Sequence, residues 1–168
     1  MRIYLIGFMG VGKSHWGKIL SEKLKLRFFD LDQQIQQYTD RTIVDIFATE
    51  GEEYFREVEK ECLQSISNAH SQFVMSCGGG TPCYFNNIDF MKSQGVVVWL
   101  DSSLETIFTR LKAEKAKRPL IRDLTDSELR EFILRKIADR KIYYEQSRLR
   151  VEEDLIDTDS LIKAILHA

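Results

Sequence analysis

A glycine-rich stretch near the N-terminus has the residue types and the spacing of a phosphate-binding loop. Residues 7–14 read Gly-Phe-Met-Gly-Val-Gly-Lys-Ser and fit the pattern G-x-x-x-x-G-K-S/T. Glycine places no Cβ between the backbone and a ligand, so the N–H groups of such a loop can converge on an anion. The side chain of Lys13 can reach the β- and γ-phosphates of a nucleotide, and the Ser14 hydroxyl can bind Mg²⁺. We therefore predict a magnesium–nucleotide site here.

The sequence on either side of this loop provides the context that the motif requires. Residues 3–6 are apolar and β-rich, which predicts a buried strand directly before the loop. Ile19, Leu20 and Leu24 recur at helical spacing after it, and the N-terminus of that helix adds free N–H donors and partial positive charge. The alternative, a glycine-rich turn with a chance Lys-Ser pair, leaves this order of strand, loop and helix unexplained.

Two aspartates lie at the end of the second predicted strand, residues 27–31. Residues i and i+2 of an extended segment point to the same side, so Asp30 and Asp32 are expected to face one site beside the phosphate loop. Two carboxylates in that place suit metal binding and proton acceptance. The alternative is that Asp32 is the N-cap of the helix that begins at Gln33, since aspartate is a good cap.

Three consecutive glycines, residues 78–80, follow the third predicted strand at residues 73–76. Such a run permits either a close approach of the backbone to another group or a set of exposed N–H donors for a ligand. The position just beyond the end of a strand favours the ligand.

Two charged segments are open to more than one interpretation. Arg56 lies among glutamates in a predicted helix, a pattern that by itself indicates a solvated salt-bridge face. Residues 112–121 are rich in charge, lack a clear apolar face over most of their length and contain Pro119, which predicts a mobile loop. This loop is either a cationic flap over the phosphate site or an ordinary solvated surface loop.

The elements that must position these residues alternate along the chain. Strand-like runs are separated by helical patterns, which predicts an α/β fold with a parallel sheet covered by helices on both faces. The predicted strands are residues 3–6, 27–31, 73–76, 96–100 and 150–156. In such sheets ligands bind beyond the carboxyl ends of the strands, where the candidate residues above are found.

Length and composition narrow the class of protein. The 168 residues suit one domain, and 43% hydrophobic with 30% charged residues is typical of a soluble globular protein. A formal charge of −2 argues against a general nucleic-acid binder. The short N-terminal apolar run has neither the length of a membrane span nor the layout of a signal peptide, which predicts a cytoplasmic protein without a membrane partner. The three cysteines lack metal-site spacing and are expected to be free thiols.

In their order and spacing, these features resemble the shikimate kinase family, small P-loop kinases of aromatic amino acid biosynthesis. The resemblance covers nearly the whole chain and is far more specific than the phosphate loop alone. Its marks, in chain order, are residues 7–14, Asp30-Leu31-Asp32, Ile46-Phe47, Gly51-Glu52, Phe55-Arg56, Gly78-Gly79-Gly80, Arg118-Pro119-Leu120, and Arg140 four residues before Tyr144.

The resemblance implies a fold and a reaction. The fold is a five-stranded parallel sheet of the nucleoside-monophosphate-kinase type in a single domain, residues 1–168, with a substrate-binding region at about 31–61 and a mobile lid at about 112–124. The reaction is phosphorylation of a shikimate hydroxyl by ATP with Mg²⁺, giving shikimate 3-phosphate and ADP. We expect a monomer whose partners are these two small molecules.

The resemblance also implies roles for individual residues. Loop amides and Lys13 hold the ATP phosphates, Ser14 and Asp30 position Mg²⁺, and Asp32 contacts the shikimate hydroxyls as the candidate base. Catalysis is assigned to Lys13, Asp32 and Arg118; nucleotide binding to Gly10, Val11, Gly12, Lys13, Ser14, His15, Arg110 and Arg118; shikimate binding to Asp32, Arg56, Gly78, Gly79, Gly80 and Arg140.

The chain departs from the family pattern at two positions. His15 stands where a threonine or serine is usual, which leaves only its backbone N–H as a contact for the α-phosphate. Ile142 replaces the proline of the usual R-x-P-x-Y motif, although Arg140 and Tyr144 are both present. The resemblance places Arg110 near the adenine.

Other functions fit the sequence less well. A small P-loop kinase acting on gluconate or a nucleoside monophosphate is the nearest alternative, but nothing in the chain marks a second base-binding pocket. Asn86-Asn87-Ile88-Asp89 superficially resembles the guanine motif N-K-x-D of a GTP-driven switch but lacks its lysine. Retention of Lys13 and of both aspartates argues against an inactive nucleotide-binding module.

Overall fold

A central parallel sheet carries the site, and the computed structural model describes all residues 1–168. The five strands lie in the order β2-β3-β1-β4-β5. Every neighbouring pair is parallel. The strands are β1 (Arg2–Ile6), β2 (Arg27–Asp30), β3 (Phe73–Ser76), β4 (Val96–Asp101) and β5 (Leu149–Glu152). Because all strands run the same way, their carboxyl ends meet at one edge of the sheet.

Helices connect the strands and cover both faces of the sheet. They are α1 (Lys13–Leu24), α2 (Leu31–Thr39), α3 (Ile43–Thr49), α4 (Gly51–Ala69), α5 (Asn87–Gln94), α6 (Leu104–Glu114), α7 (Asp126–Tyr144) and α8 (Thr158–Leu166). Short 3₁₀ turns occupy Thr81–Cys83 and Lys115–Lys117. None of these helices is long and apolar enough to cross a membrane.

Two hydrophobic clusters cover the two faces of the sheet, and β1 contributes side chains to both. Ile3 and Leu5 lie in one cluster, while Tyr4 and Ile6 lie in the other. Successive side chains of a strand point to opposite faces, so a strand that is apolar at every position must be covered on both sides. The predicted α/β fold with a doubly covered parallel sheet is therefore confirmed.

The predicted strand boundaries hold to within one residue except at β5. Strand β2 stops at Asp30, and Leu31 already begins α2, because the Asp30 side chain accepts a hydrogen bond from the backbone N–H of Gln33 at 3.3 Å and caps the helix. Strand β5 runs over Leu149–Glu152, and the predicted extension to residue 156 is wrong. The chain turns there and carries Glu153 toward the carboxyl edge of the sheet.

The segment predicted as a mobile loop is partly helical. Helix α6 continues through Glu114, and Lys115–Lys117 form a 3₁₀ turn, so a continuous loop over residues 112–121 is wrong for its first half. Helix α7 begins at Asp126 with a capping box, in which the Thr125 side chain accepts from Glu128 N–H and the Glu128 side chain accepts from Thr125 N–H. Whether the segment moves stays a prediction.

Candidate active site

The phosphate loop joins β1 to α1 and is shaped by its glycines. Gly7 has a φ of 139°, and a Cβ added there would lie 2.3 Å from the carbonyl oxygen of Leu100. Only glycine fits that combination of backbone angle and close approach. The Lys13 ammonium donates hydrogen bonds to the carbonyls of Gly7 at 2.9 Å and Phe8 at 2.8 Å. The loop carbonyls therefore hold the Lys13 ammonium at the N-terminus of α1. A bound phosphate would compete with these carbonyls for the ammonium.

Ser14 brings a hydroxyl beside a carboxylate, as a magnesium site requires. Its Oγ donates to Asp30 Oδ2 at 2.8 Å and lies 3.1 Å from Ser76 Oγ. Mg²⁺ prefers oxygen ligands and is commonly held by one or two carboxylates while water and phosphate complete its shell. The chain has no group of three or more His, Cys, Asp or Glu side chains that could hold a metal ion. Sequence analysis missed Ser76, whose only signal is its place at the end of β3.

Asp30 and Asp32 share the site, but not for the reason that strand alternation predicts. Asp30 ends β2 and caps α2, whereas Asp32 lies in the first turn of that helix. The alternative that made Asp32 the cap is wrong as well, because Asp30 has that role. Asp32 turns toward the glycine triplet, where its Oδ1 would lie 3.4 Å from a Cβ added to Gly78.

A cavity of about 690 Å³ opens at the carboxyl edge of the sheet and gathers most of the predicted residues. Its size is within the range of small-molecule sites. The predicted residues that line it are Gly10, Gly12, Lys13, Ser14, His15, Asp30, Asp32, Gly78, Gly79, Arg110 and Arg118. The side chain of Val11 is buried in the core instead, so only its backbone is available to a ligand.

Arg56 lies next to this cavity, buried rather than on a solvated face. It is 7% exposed, and its guanidinium pairs with Glu59 at 2.8 Å and with Glu52 at 3.4 Å. Glu59 is fully buried and also accepts a hydrogen bond from the Thr81 hydroxyl at 2.8 Å. The guanidinium packs so closely on Gly80 that a Cβ there would lie 2.4 Å from it. The salt-bridge-face interpretation is thus wrong, and Glu59 is a partner that sequence analysis missed.

Arg140 approaches the glycine triplet from the end of α7. A Cβ added to Gly79 would lie 3.0 Å from Arg140 Nη1, and the Tyr144 hydroxyl donates to the Gly79 carbonyl at 2.6 Å. None of the ion pairs of the chain includes Arg140. Ile142, which replaces the usual proline, is 66% exposed, and α7 continues past it through Tyr144. Arg140 is therefore a cation without a protein counter-ion beside a glycine-lined surface.

Two further arginines line the cavity on its other side. Arg110 donates to the Gly10 carbonyl at 3.1 Å and pairs with Glu153 at 3.0 Å. Glu153, which sequence analysis missed, also accepts hydrogen bonds from the Trp16 indole at 3.0 Å and from a serine hydroxyl at 3.2 Å. Arg118 pairs with Glu114 at 2.6 Å, one helical turn before it. Both arginines thus face the phosphate loop from α6 and the segment that follows it.

Comparison with known proteins gives this arrangement a family. A sequence model described as "Shikimate kinase" matches residues 9–168. The chain belongs to the shikimate kinase family. A shikimate kinase from Azobacteroides pseudotrichonymphae is 43% identical over 148 residues, 88% of this chain and 87% of the relative. One from Sulfurihydrogenibium is 40% identical over 98% of this chain and 95% of the relative.

Solved structures of shikimate kinases have the same fold as this chain. The crystal structure of shikimate kinase from Bacteroides thetaiotaomicron has a TM-score of 0.88 at 33% identity, covering 99% of this chain and 95% of that one. Shikimate kinase from Acinetobacter baumannii, solved in complex with shikimate, has a TM-score of 0.86 at 31% identity, covering 99% and 93%. As a member of the shikimate kinase family, the chain phosphorylates shikimate with ATP, giving shikimate 3-phosphate and ADP in the biosynthesis of chorismate and aromatic amino acids.

The electrostatics of the site suit this kinase chemistry near neutral pH. Burial, reinforced by the negative charges of Glu59 and Asp30, raises the pKa of Asp32 to about 6. Burial lowers the pKa of Lys13 to about 8, against the opposing attraction of Asp32. Between these values Asp32 is ionised and Lys13 is protonated. Both charged forms are the ones that burial disfavours, so the site holds its working charges at a cost in folding stability.

We expect a bell-shaped pH profile of kcat/KM for shikimate, with limbs near pH 6 and pH 8. Below the lower limb Asp32 is protonated and cannot accept a proton, and above the upper limb Lys13 is neutral and cannot balance phosphate charge. Initial rates at subsaturating substrate across pH 5–9 measure both limbs. The Asp32→Asn variant is the control: its residual activity should lack the acidic limb. A flat profile between pH 5 and pH 7 in the unmodified enzyme would contradict the assignment of Asp32.

Proposed function

We propose that Lys13, Asp32 and Arg118 carry out the phosphoryl transfer and that Arg56 and Arg140 hold the carboxylate of shikimate. One observation supports this division above all: Asp32 lies between two cationic regions. Its negative charge interacts favourably with Lys13 of the phosphate loop and with Arg56 of α4. An acceptor held by the arginines would therefore present a hydroxyl to Asp32 on the side where the γ-phosphate arrives.

Each protein group then has one task in the reaction. Asp32 accepts the proton of the attacking hydroxyl, while Lys13 and Arg118 balance the charge that develops on the transferred phosphoryl group. Ser14 and Asp30 are the residues that would hold Mg²⁺, which neutralises phosphate charge when it is bound. The backbone of Gly78, Gly79 and Gly80 forms the wall between the two ligands. We further propose that the enzyme works as a cytoplasmic monomer.

The proposal is tested by the choice of acceptor. A coupled assay for ADP release, run with shikimate, gluconate, AMP or no acceptor, should show turnover with shikimate alone. Faster turnover with gluconate or AMP would replace shikimate with the runner-up substrate. Equal ADP release with and without an acceptor would indicate a nucleotide hydrolase and overturn the kinase assignment of the site.

Arg140→Ala is expected to weaken shikimate binding by about 2–5 kcal/mol while nucleotide affinity changes little. Arg140 has no protein counter-ion that the substitution would leave unpaired, so the loss reports on the ligand carboxylate. Arg56→Ala should act in the same direction but will also destabilise the fold, because it leaves Glu59 buried without a counter-ion. Titration calorimetry with each ligand measures the effects. Arg135→Ala, at an exposed position of the same helix, is the matched control. Equal weakening of both ligands by Arg140→Ala would mean that the arginine is misplaced.

We expect residues 112–124 to exchange amide hydrogens quickly in the free enzyme and slowly in the ternary complex. Closure of this segment would exclude water, which competes as a phosphoryl acceptor, and would bring Arg118 onto the transferred group. Hydrogen exchange monitored by mass spectrometry, without ligands and with shikimate plus a non-hydrolysable ATP analogue, measures the change. Helix α8, which packs against α1, serves as the internal control. Identical exchange of the segment in both states would rule out a closing lid.

A further inference from the structure

Tyr84 lies against Arg56 in a way that neither the sequence motifs nor the family comparison assigns. Its ring covers the guanidinium with 4.3 Å between the guanidinium carbon and the ring centroid. Its hydroxyl donates to Glu52 Oε1 at 2.9 Å, and the same oxygen accepts from Arg56 Nε and Nη2 at 3.4 Å each. Glu59 thus pairs with the edge of the Arg56 guanidinium, and Tyr84 covers one of its faces. The backbone of Gly80 packs against the same group.

Tyr84 reaches this place through a short, anchored connection from the glycine triplet. The 3₁₀ turn Thr81–Cys83 starts directly after Gly80 and returns the chain over α4. The turn is fixed at Thr81, whose hydroxyl donates to buried Glu59 at 2.8 Å and whose carbonyl accepts from the Asn87 side chain at 3.0 Å. The segment that follows the glycine triplet therefore also carries the aromatic ring that covers Arg56.

The contact with Glu52 has a chemical consequence for a carboxylate ligand. Glu52 is mostly exposed and holds the guanidinium edge with two long hydrogen bonds, so it is the weaker of the two partners of Arg56. The Tyr84 hydrogen bond gives Glu52 a second partner and keeps it ionised, lowering its pKa. A ligand carboxylate can then replace Glu52 on Arg56 without leaving Glu52 unpaired.

We propose that Tyr84 is a positioning residue for shikimate: its ring holds the Arg56 guanidinium in the orientation that receives the ligand carboxylate, and its hydroxyl retains the displaced Glu52. This proposal rests on the proposed role of Arg56. The ring provides a cation–π contact and the hydroxyl provides the exchange partner, so the two parts can be removed separately. Tyr84 does not face the phosphate loop, and its effect is confined to the acid substrate.

The test compares Tyr84→Leu and Tyr84→Phe with Phe85→Leu as a matched control. Phe85 is the next residue, is similarly exposed, and packs against Lys60 rather than Arg56. Loss of the ring in Tyr84→Leu should raise the Kd and KM for shikimate about 10-fold, with kcat and the KM for ATP within about twofold, as expected for a partly desolvated cation–π contact. Tyr84→Phe should raise them about two- to threefold, the size of one hydrogen bond, and Phe85→Leu should leave them unchanged.

Two further measurements separate positioning from simple loop stability. The effect of Tyr84→Phe should disappear in a Glu52→Gln background, and the effect of Tyr84→Leu should disappear when the ligand is the uncharged shikimate carboxamide. If Tyr84→Leu fails to fold, the comparison of Tyr84→Phe with and without Glu52→Gln decides by itself. Unchanged shikimate affinity in Tyr84→Phe and Tyr84→Leu, or equal effects of Tyr84→Leu and Phe85→Leu, would overturn the proposal provided that Arg56→Lys weakens shikimate binding. If Arg56→Lys has no effect either, the proposed carboxylate site itself is wrong.

Discussion

Lys13→Ala is expected to lower kcat by on the order of 10³-fold, the loss that follows removal of one preorganised group that stabilises transition-state charge. In the structure this ammonium is held by the carbonyls of Gly7 and Phe8 and belongs to no ion pair, so its charge is available to the phosphates. Initial rates at saturating shikimate and ATP measure the change.

The same substitution should leave the fold intact or make it slightly more stable. Burial lowers the pKa of Lys13, which means that its protonated form costs folding free energy at neutral pH, and alanine removes that cost. Thermal unfolding at pH 7 should show an unchanged or higher Tm. Lys18→Ala, at an exposed position of α1, is the control and should keep full turnover. Normal turnover in Lys13→Ala would remove the nucleotide site from this loop.

Asp32→Asn is expected to reduce kcat by roughly 10²–10⁴-fold, the range of general-base assistance, with a smaller loss of shikimate affinity. Asparagine keeps the shape and some of the hydrogen bonding but cannot accept the hydroxyl proton. A loose transition state asks little of the base early in the reaction, so part of the loss reflects positioning of the hydroxyl. Single-turnover rates and the Kd for shikimate separate these two parts.

Asp30→Asn is the comparison that distinguishes the two carboxylates. Asparagine is as good an N-cap as aspartate, so α2 should remain folded and the variant should report on the metal. We expect a higher Mg²⁺ requirement in a titration of activity against Mg²⁺ concentration. Intact turnover in Asp32→Asn together with loss in Asp30→Asn would reverse the two roles. If both variants keep normal turnover and Mg²⁺ dependence, neither carboxylate takes part in the reaction.

Motifs and apolar runs of adjacent residues made the fold and part of the site predictable. The phosphate loop is a set of adjacent residues with fixed spacing, and uninterrupted apolar runs such as β1 have few ways to be buried except in a doubly covered sheet. The glycine triplet was placed correctly at the carboxyl edge of the sheet, because parallel topology alone brings the end of β3 there.

The residues that sequence analysis missed are partners made by tertiary contacts. Glu59 and Glu153 look like ordinary glutamates, and their burial depends on Arg56 and Arg110, the latter brought in from another part of the chain. The local charge pattern around Arg56 indicated a solvated face, because such a pattern does not reveal which side of a helix faces the glycine triplet; only the resemblance to the family assigned Arg56 to the ligand. At Asp30, the helix-capping preference of one side chain overrode the strand pattern on which the prediction was based.

Helix α7 connects the lid segment to Arg140. It begins at the capping box directly after the lid segment and ends, 19 residues later, at Arg140 and Tyr144. Uninterrupted by proline, it is a rod roughly 28 Å long. If the nucleotide closes the proposed lid, a displacement of the first turn of α7 would be carried to Arg140, the proposed partner of the acid carboxylate. Thermodynamic reciprocity then requires that nucleotide and acid alter each other's affinity by one and the same factor.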